Sequence, residues 1–478
     1  MYFLRTSYNQ FMGQFLASSS PSQPSRAQQT FFWVWKRFCQ FVMVVFYRRF
    51  EVSGLESLPK GRGLLLCANH VNALADAVIL QAATPIPIRP LARSGLFKVP
   101  VMKHILRIIG AVPVYRRKDN TGTMQRNDDS FHRCYELLAE QQTIVIFPEG
   151  QSHSDPYLHE LKTGAARIAL GAAKSNSEPP VVLPVGLTFS RKGKFRGDVL
   201  VNFAQPVDLE VQSDLEEYDA VELINERIRE GLKSVTLNAK SWRDIDLVRR
   251  VELFFAHRNG KNRSENLSQS FRAQQRLMDA QSLLRLHEPD RVRSLMIHLK
   301  TFERLCECCG INDYHLNINY RPVLIFLYLL RSLLILVFGL GVSTWAWING
   351  AIPYLITRQF SQRMAKSRDQ YDSARVLIGL PLFVVFWGAQ SWYVYNHFGF
   401  WWSIVYLLSL VISAAVALYF RGEWKRMFEN IRVFILFARK QQLREYLISK
   451  RQELEKELAK MVRIARRLSN KESKLSKV

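Results

Sequence analysis

The sequence predicts an α/β fold, a mixed, mostly parallel sheet flanked by helices, followed by transmembrane or re-entrant helical hairpins. Two observations predict it. Between residues 51 and 235 short apolar runs alternate with helical stretches, the pattern of strands linked by crossover helices. Further on, Pro322–Thr357 and Val376–Phe420 are long apolar stretches, and a spanning helix needs only about 20 residues. The chain has 478 residues, enough for several domains, and a net charge of +25 that favours anionic partners. No helix-turn-helix, zinc-finger or RNA-recognition signature accompanies the charge, so anionic lipid is expected and nucleic acid is not.

Residues 1–30 are rich in Ser, Gln and Pro and are expected to be disordered. They lack a continuous apolar core, so no signal peptide is expected. Residues 31–50 mix aromatics with Lys36, Arg37, Arg48 and Arg49, which suits an amphipathic helix at a membrane interface or packed on the next domain. In the domain spanning 51–235, apolar runs predict strands at 63–67, 88–92, 112–115, 143–147, 181–188 and 198–203. The intervening periodicity predicts helices at 72–83, 127–141, 161–174 and 216–235.

Residues 236–316 read as a polar helical insert without evident chemistry. Cys306, Cys308 and Cys309 lie near His298 and His315, but their spacing is not that of a zinc site, and no metal is expected. The six cysteines do not form a disulfide framework. A membrane region follows at 317–440, and its two apolar stretches predict two helical hairpins. Arg331 makes full crossings costly in the first, which fits a re-entrant pair or one tilted helix with an amphipathic partner. Basic segments at 358–375 and 421–440 place both hairpin bases on the cytoplasmic side. Residues 441–478 form a basic helical tail, with Leu443, Leu447, Leu454, Leu458 and Met461 at helical spacing for a lipid-headgroup contact or a short coiled coil.

The chemistry gathers around Cys67-Ala68-Asn69-His70-Val71-Asn72-Ala73-Leu74-Ala75-Asp76. His70 falls on a strand-to-helix turn, with Asp76 six residues on. On one continuous helix that separation is about 120°, so the pair meets only if His70 precedes the helix and Asp76 lies in its first turn. The histidine is then a general base oriented by the carboxylate, or else a satisfied structural residue near a helix start.

Three further blocks follow in order: Gly110-Ala111-Val112-Pro113-Val114-Tyr115-Arg116, Phe147-Pro148-Glu149-Gly150-Gln151-Ser152 and Val181-Val182-Leu183-Pro184-Val185. Together the four blocks resemble the glycerolipid acyltransferase superfamily, the PlsC-like glycerol-3-phosphate and lysophosphatidic acid acyltransferases, over roughly residues 45–210. That family's first block is His, four residues, Asp; here five residues intervene, and a loop ahead of the helix can absorb the extra one. The layout of the second half is similar to fungal-type glycerol-3-phosphate/dihydroxyacetone-phosphate acyltransferases.

The resemblance implies an O-acyltransferase that uses no metal and no cofactor beyond its acyl-CoA or acyl carrier protein thioester donor. His70 would deprotonate the acceptor hydroxyl and Asp76 would orient His70. Arg116 would hold the acceptor phosphate, with Lys98 as a helper, because a guanidinium fork suits phosphate. Glu149, Gly150 and Ser152 would bind the acceptor, while Pro184 would shape the acyl side of the pocket or belong to an ordinary buried strand. The expected reaction is acylation of the sn-1 hydroxyl of glycerol-3-phosphate or dihydroxyacetone phosphate in phospholipid synthesis. The alternatives are sn-2 acylation of lysophosphatidic acid and, from another class, a catalytically inactive membrane scaffold or lipid-binding protein. The expected location is an integral membrane protein with its catalytic domain on the cytoplasmic face; its oligomeric state is left open.

Overall fold

A computed structural model describes residues 26–475 except Lys60, 116–122, Arg191, 193–194, Ser213, 259–265, 318–321 and 365–369. Of residues 1–30, expected to be disordered, 1–25 lie outside the described residues and 26–30 are helical instead; Arg116, expected to hold the acceptor phosphate, also lies outside the described residues. By contact density the chain divides into two units, residues 1–240 with 361–377, and residues 241–360 with 378–478.

The first unit is built on seven strands: β1 (Tyr47–Ser53), β2 (Leu64–Ala68), β3 (Ile88–Arg93), β4 (Val112–Val114), β5 (Thr143–Ile146), β6 (Val181–Phe189) and β7 (Gly197–Phe203). Their order across the sheet is β1-β7-β6-β2-β5-β3-β4. Every neighbouring pair is parallel except β6 and β7, so the sheet is mixed and mostly parallel. β2, β5 and β6 lie at the centre, buried at every position but Thr188 and almost wholly apolar, as strands covered on both faces must be.

The helices of this unit are α1 (Arg26–Phe46), α2 (Leu74–Ala83), α3 (Pro100–Ile108), α4 (Thr123–Ala139), α5 (Gly164–Ser175) and α6 (Glu217–Val235). Leu137 and Leu138 of α4, Ala165, Ile168 and Ala169 of α5, and Ile224, Ile228 and Leu232 of α6 share one core with Leu65, Cys67 and Ile144 of the sheet. The aromatic N-terminal helix starts before residue 31 and stops at Phe46, where residues expected to be helical become the edge strand β1. Arg48 and Arg49 account for that switch. Both reach Asp198 on β7, at 2.7 and 3.1 Å, and fasten β1 to its parallel partner.

The second unit contains α7 (Trp242–Arg258), α8 (Leu267–His287), α9 (Pro289–Cys309), α10 (Pro322–Met364), α11 (Tyr371–Phe398), α12 (Phe400–Arg439) and α13 (Gln441–Leu475), the last residues of α10 and the first of α11 belonging to the first unit. Leu447, Leu454 and Leu458 of the basic tail share a core with Val251, Phe254, Leu299, Phe302 and Cys306, and Met461 packs with Leu284 and Val292. The apolar stripe of the tail is therefore spent on a helical bundle within this chain.

Three helices among the described residues are long and apolar enough to cross a membrane: Leu330–Met364, Ser373–Phe398 and Phe400–Phe420. The second apolar stretch is a hairpin turning at Gly399, whose φ of 88° suits glycine. The first stretch, expected as a helical pair, is one 43-residue helix with Pro353 inside it. Proline removes the hydrogen bond that would reach the carbonyl four residues back, which is that of Asn349. The structure repairs this locally: Gln390 donates to the Asn349 carbonyl, Tyr406 donates to its side-chain oxygen at 2.7 Å, and its amide donates to Trp345 O at 2.9 Å.

Candidate active site

In a parallel sheet the loops at the carboxyl ends of the strands share one edge, where open α/β sheets bind ligands. His70 follows β2, Lys98 follows β3 at the end of a 3-10 turn (Ser94–Lys98), and Glu149 and Gly150 follow β5. β2, β5 and β3 are consecutive parallel neighbours. Lys98 is exposed on this edge.

The His70 turn is held from three sides. Asn69, buried, pairs its side-chain amide with the backbone of Leu187 on β6, accepting at 2.7 Å and donating at 3.2 Å. Asp76 sits in the first turn of α2 and is fully buried. Its Oδ2 lies 2.9 Å from His70 Nδ1 and also accepts the N–H groups of Val71 and Asn72, at 2.9 and 2.7 Å. The five-residue spacing therefore still brings histidine and carboxylate together. An ionised carboxylate only accepts, so this contact assigns the His70 proton to Nδ1 and leaves Nε2 with a lone pair. The ring stacks on Phe147 at 4.2 Å and its side chain stays 20 % exposed.

Glu149 is the third support, and its placement differs from a direct acceptor contact. Its carboxylate is buried; Oε1 accepts the His70 N–H at 2.7 Å, and Oε2 accepts the His159 N–H at 2.9 Å and faces His153 Nε2. The His153 N–H in turn donates to His70 O at 3.1 Å. The Glu149–His153 loop thus grips both sides of the catalytic candidate's own backbone. His153 went unnoticed in the sequence because only the fold turns it inward. Lys192 closes the same loop by donating to His153 O at 2.6 Å and to Ser154 Oγ at 3.0 Å.

Glu149, His153 and His159 have ligand atoms within 4.8 Å of one another, near enough to hold a metal ion. Each histidine already faces its own carboxylate, His153 that of Glu149 and His159 that of Asp155 at 2.8 Å, and the two rings stack in parallel at 3.6 Å. The set is a hydrogen-bonded network in which the ring nitrogens point at different partners.

Gly150 has φ 72° and is exposed, a tight turn closed by its N–H to Phe147 O at 3.0 Å. Ser152 is half-buried one residue before His153. Pro184 lies within β6, opposite Cys67 of β2, and packs where a side chain on Gly231 of α6 would collide with its ring. The structure thus gives Pro184 a packing role in the sheet. Burial pushes the Cys67 thiol well above its ordinary value, so it supplies no thiolate nucleophile. Behind α2 opens an apolar cavity lined by Val42, Met43, Phe46, Leu74, Val78 and Leu377.

Residues 49–188 match the family model described as Acyltransferase. The chain is 23% identical to Glycerol-3-phosphate O-acyltransferase 1 of Saccharomyces cerevisiae over 314 residues, 60% of this chain and 40% of that protein. It is 30% identical to Glycerol-3-phosphate O-acyltransferase 2 of the same yeast over 128 residues, 26% of this chain and 17% of that protein. It is 23% identical to the 1-acyl-sn-glycerol-3-phosphate acyltransferase of Borreliella burgdorferi over 194 residues, 39% of this chain and 72% of that protein. The chain thus spans less than half the length of the two yeast relatives. Residues 49–188 thus carry an acyltransferase domain, and through it the chain is similar to glycerolipid acyltransferases.

Proposed function

We propose that the protein transfers a fatty acyl group from a thioester, acyl-CoA or acyl carrier protein, to the sn-1 hydroxyl of glycerol-3-phosphate or dihydroxyacetone phosphate. The observation that carries this reading is the His70–Asp76 pair at the carboxyl end of β2, with Nδ1 engaged by a buried carboxylate. His70 Nε2 takes the hydroxyl proton as the oxygen attacks the thioester carbonyl carbon. The tetrahedral intermediate collapses by breaking the carbon–sulfur bond, and the imidazolium returns its proton to the departing thiolate. Asp76 stabilises the imidazolium between the two transfers. No step requires a protein nucleophile.

Arg116, two positions beyond the end of β4 in the sequence, and Lys98, after β3, are the cations proposed for the acceptor phosphate. Glu149 is proposed to act through the His70 backbone, and the Gly150 turn and Ser152 to flank the acceptor. Glycerol-3-phosphate is preferred over lysophosphatidic acid because likeness to the first yeast enzyme spans 60% of this chain, against 39% for the lysophosphatidate-type relative. The catalytic domain is proposed to face the cytoplasm, where both substrates are water-soluble.

The test offers purified full-length protein labelled acyl-CoA with glycerol-3-phosphate, dihydroxyacetone phosphate or lysophosphatidic acid. Labelled monoacyl product from the first two is expected. Label in phosphatidic acid alone would move the assignment to sn-2, and no transfer to any acceptor beside intact lipid binding would favour a scaffold.

A further inference from the structure

The five-residue path between His70 and Asp76 passes through a left-handed turn at Ala73. Ala73, just ahead of α2, has φ 48° and ψ −128°. These angles match the first central position of a type II′ turn, a place ordinarily taken by glycine. The turn's bond is present, since the Ala75 N–H donates to Asn72 O at 3.1 Å. Ala73 also occupies the N-cap position, and alanine has no side chain to cap a helix. The missing hydroxyl comes from a residue 298 positions later in the chain, within the same unit. Ser373 Oγ accepts the Ala75 N–H at 3.0 Å and donates to Asn72 O at 3.0 Å. Ala75 is the second residue of α2, whose amide an N-cap serine would normally satisfy. Ser373 is buried, and it stands at the head of the membrane-length helix Ser373–Phe398.

We propose that Ser373 is a positioning residue for the acyl transfer, a helix cap supplied by the membrane region that holds the strained turn between His70 and Asp76. The inference rests on the assignment of His70 as base. Asp76 can meet Nδ1 only while residues 71–75 keep their present path, because that carboxylate also binds the N–H groups of Val71 and Asn72. Ser373 grips the two groups that close this path, the Asn72 carbonyl and the Ala75 amide. Removing the hydroxyl lets a turn that alanine disfavours relax, and it loosens the carboxylate from the ring.

The experiment measures kcat, KM for each substrate and the melting temperature for full-length protein carrying Ser373→Ala, Ser373→Thr, Ala73→Gly with Ser373→Ala, and His70→Ala. A misplacement near 1 Å in catalytic geometry costs up to about 100-fold, so Ser373→Ala should lower kcat roughly tenfold with both KM values unchanged. Ser373→Thr keeps the hydroxyl and should recover most of the loss. Ala73→Gly should also recover it in the Ser373→Ala background, because glycine holds the turn without a tether. Unchanged kcat in Ser373→Ala overturns the proposal, as does a loss that neither second change recovers or one seen only as a raised KM. His70→Ala separates the two readings: retained turnover there removes the base assignment itself, whereas normal Ser373→Ala turnover beside a dead His70→Ala removes only the positioning role.

Discussion

One oxygen of Asp76 receives three donors, the His70 ring and two backbone amides, while Oδ1 is buried without a partner among the described residues. The carboxylate therefore orients the base and shapes the turn at once. His70→Ala should lower kcat by about 10²- to 10⁴-fold, the usual worth of a general base, with the melting temperature kept. Asp76→Asn should lower both kcat and melting temperature, since the charge that stabilises the imidazolium is lost and an NH2 group takes the buried place of the unpartnered Oδ1. Steady-state kinetics and thermal unfolding on the same samples separate these outcomes, and near-normal turnover in His70→Ala would sink the assignment. A second residue carries a pH signature. Burial, helped by the neighbouring Arg37, lowers the pKa of Lys36 from 10.5 to about 7. Between those values the unfolded chain holds a proton that the folded chain has released, so stability rises with pH across that window. Lys36→Met should raise the melting temperature most at or below about pH 7, and the gain should shrink towards about pH 10.

At the scale of elements, six strands were readable because each is a compact apolar run between turns. β1 was not: Tyr47-Arg48-Arg49-Phe50-Glu51-Val52-Ser53 is polar and continues an aromatic helix, and its strand state depends on β7 and on Asp198. Asp198 is held below the usual carboxylate range: burial alone would raise it, but hydrogen bonds and charge from Arg48 and Arg49 outweigh that. The sheet also meets α6 closely. A Cβ on Gly186 of β6 would lie 1.8 Å from the carbonyl oxygen of Val235, the last residue of α6. Backbone cannot move aside cheaply, so Gly186→Ala should cost about 3 kcal/mol by forcing helix and strand apart. Thermal unfolding should show a melting temperature lower by roughly 5–10 °C, and an unchanged value would mean that α6 tolerates displacement.

For the molecule as a whole, the membrane region poses a parity question. Ile311 and Leu316, before the apolar helices, share one core with Val433 and Phe437, beyond them. Both ends of the membrane region therefore lie on the same side, and the number of crossings between them is even. Three membrane-length helices cannot then each cross once. The hairpin of α11 and α12, both of membrane length, would supply two crossings. α10 changes partners near Asn349: Tyr328, Gly339 and Trp345 meet Asn430, Phe420 and Ser409 of α12, whereas Gly350 and Thr357 meet Phe383 and Gly379 of α11. Such a change at Asn349–Pro353 fits a helix that dips into the bilayer and returns. Single cysteines at 290, 397 and 470, in a background free of native cysteines, should behave accordingly. A membrane-impermeant thiol reagent on intact cells should label 397 alone, with 290 and 470 reached only after permeabilisation. Labelling of exactly one of 290 and 470 from outside would require an odd number of crossings and end this topology.

The sequence alone determined the layer architecture and the candidate catalytic pair, because both are local. Apolar periodicity sets strands and helices, and a histidine and a carboxylate on one short turn have few ways to avoid each other. It also determined that the C-terminal half is long-helical and apolar, since segment length and composition suffice for that. The tertiary structure alone decided what holds the pair. Glu149 lies 79 positions from His70, Asn69 pairs with a strand 118 positions away, and Ser373 caps a helix some 300 positions earlier. None of these partners has a periodicity or spacing to betray it, for a hydrogen bond between distant segments exists only once the sheet has brought their backbones within about 3 Å.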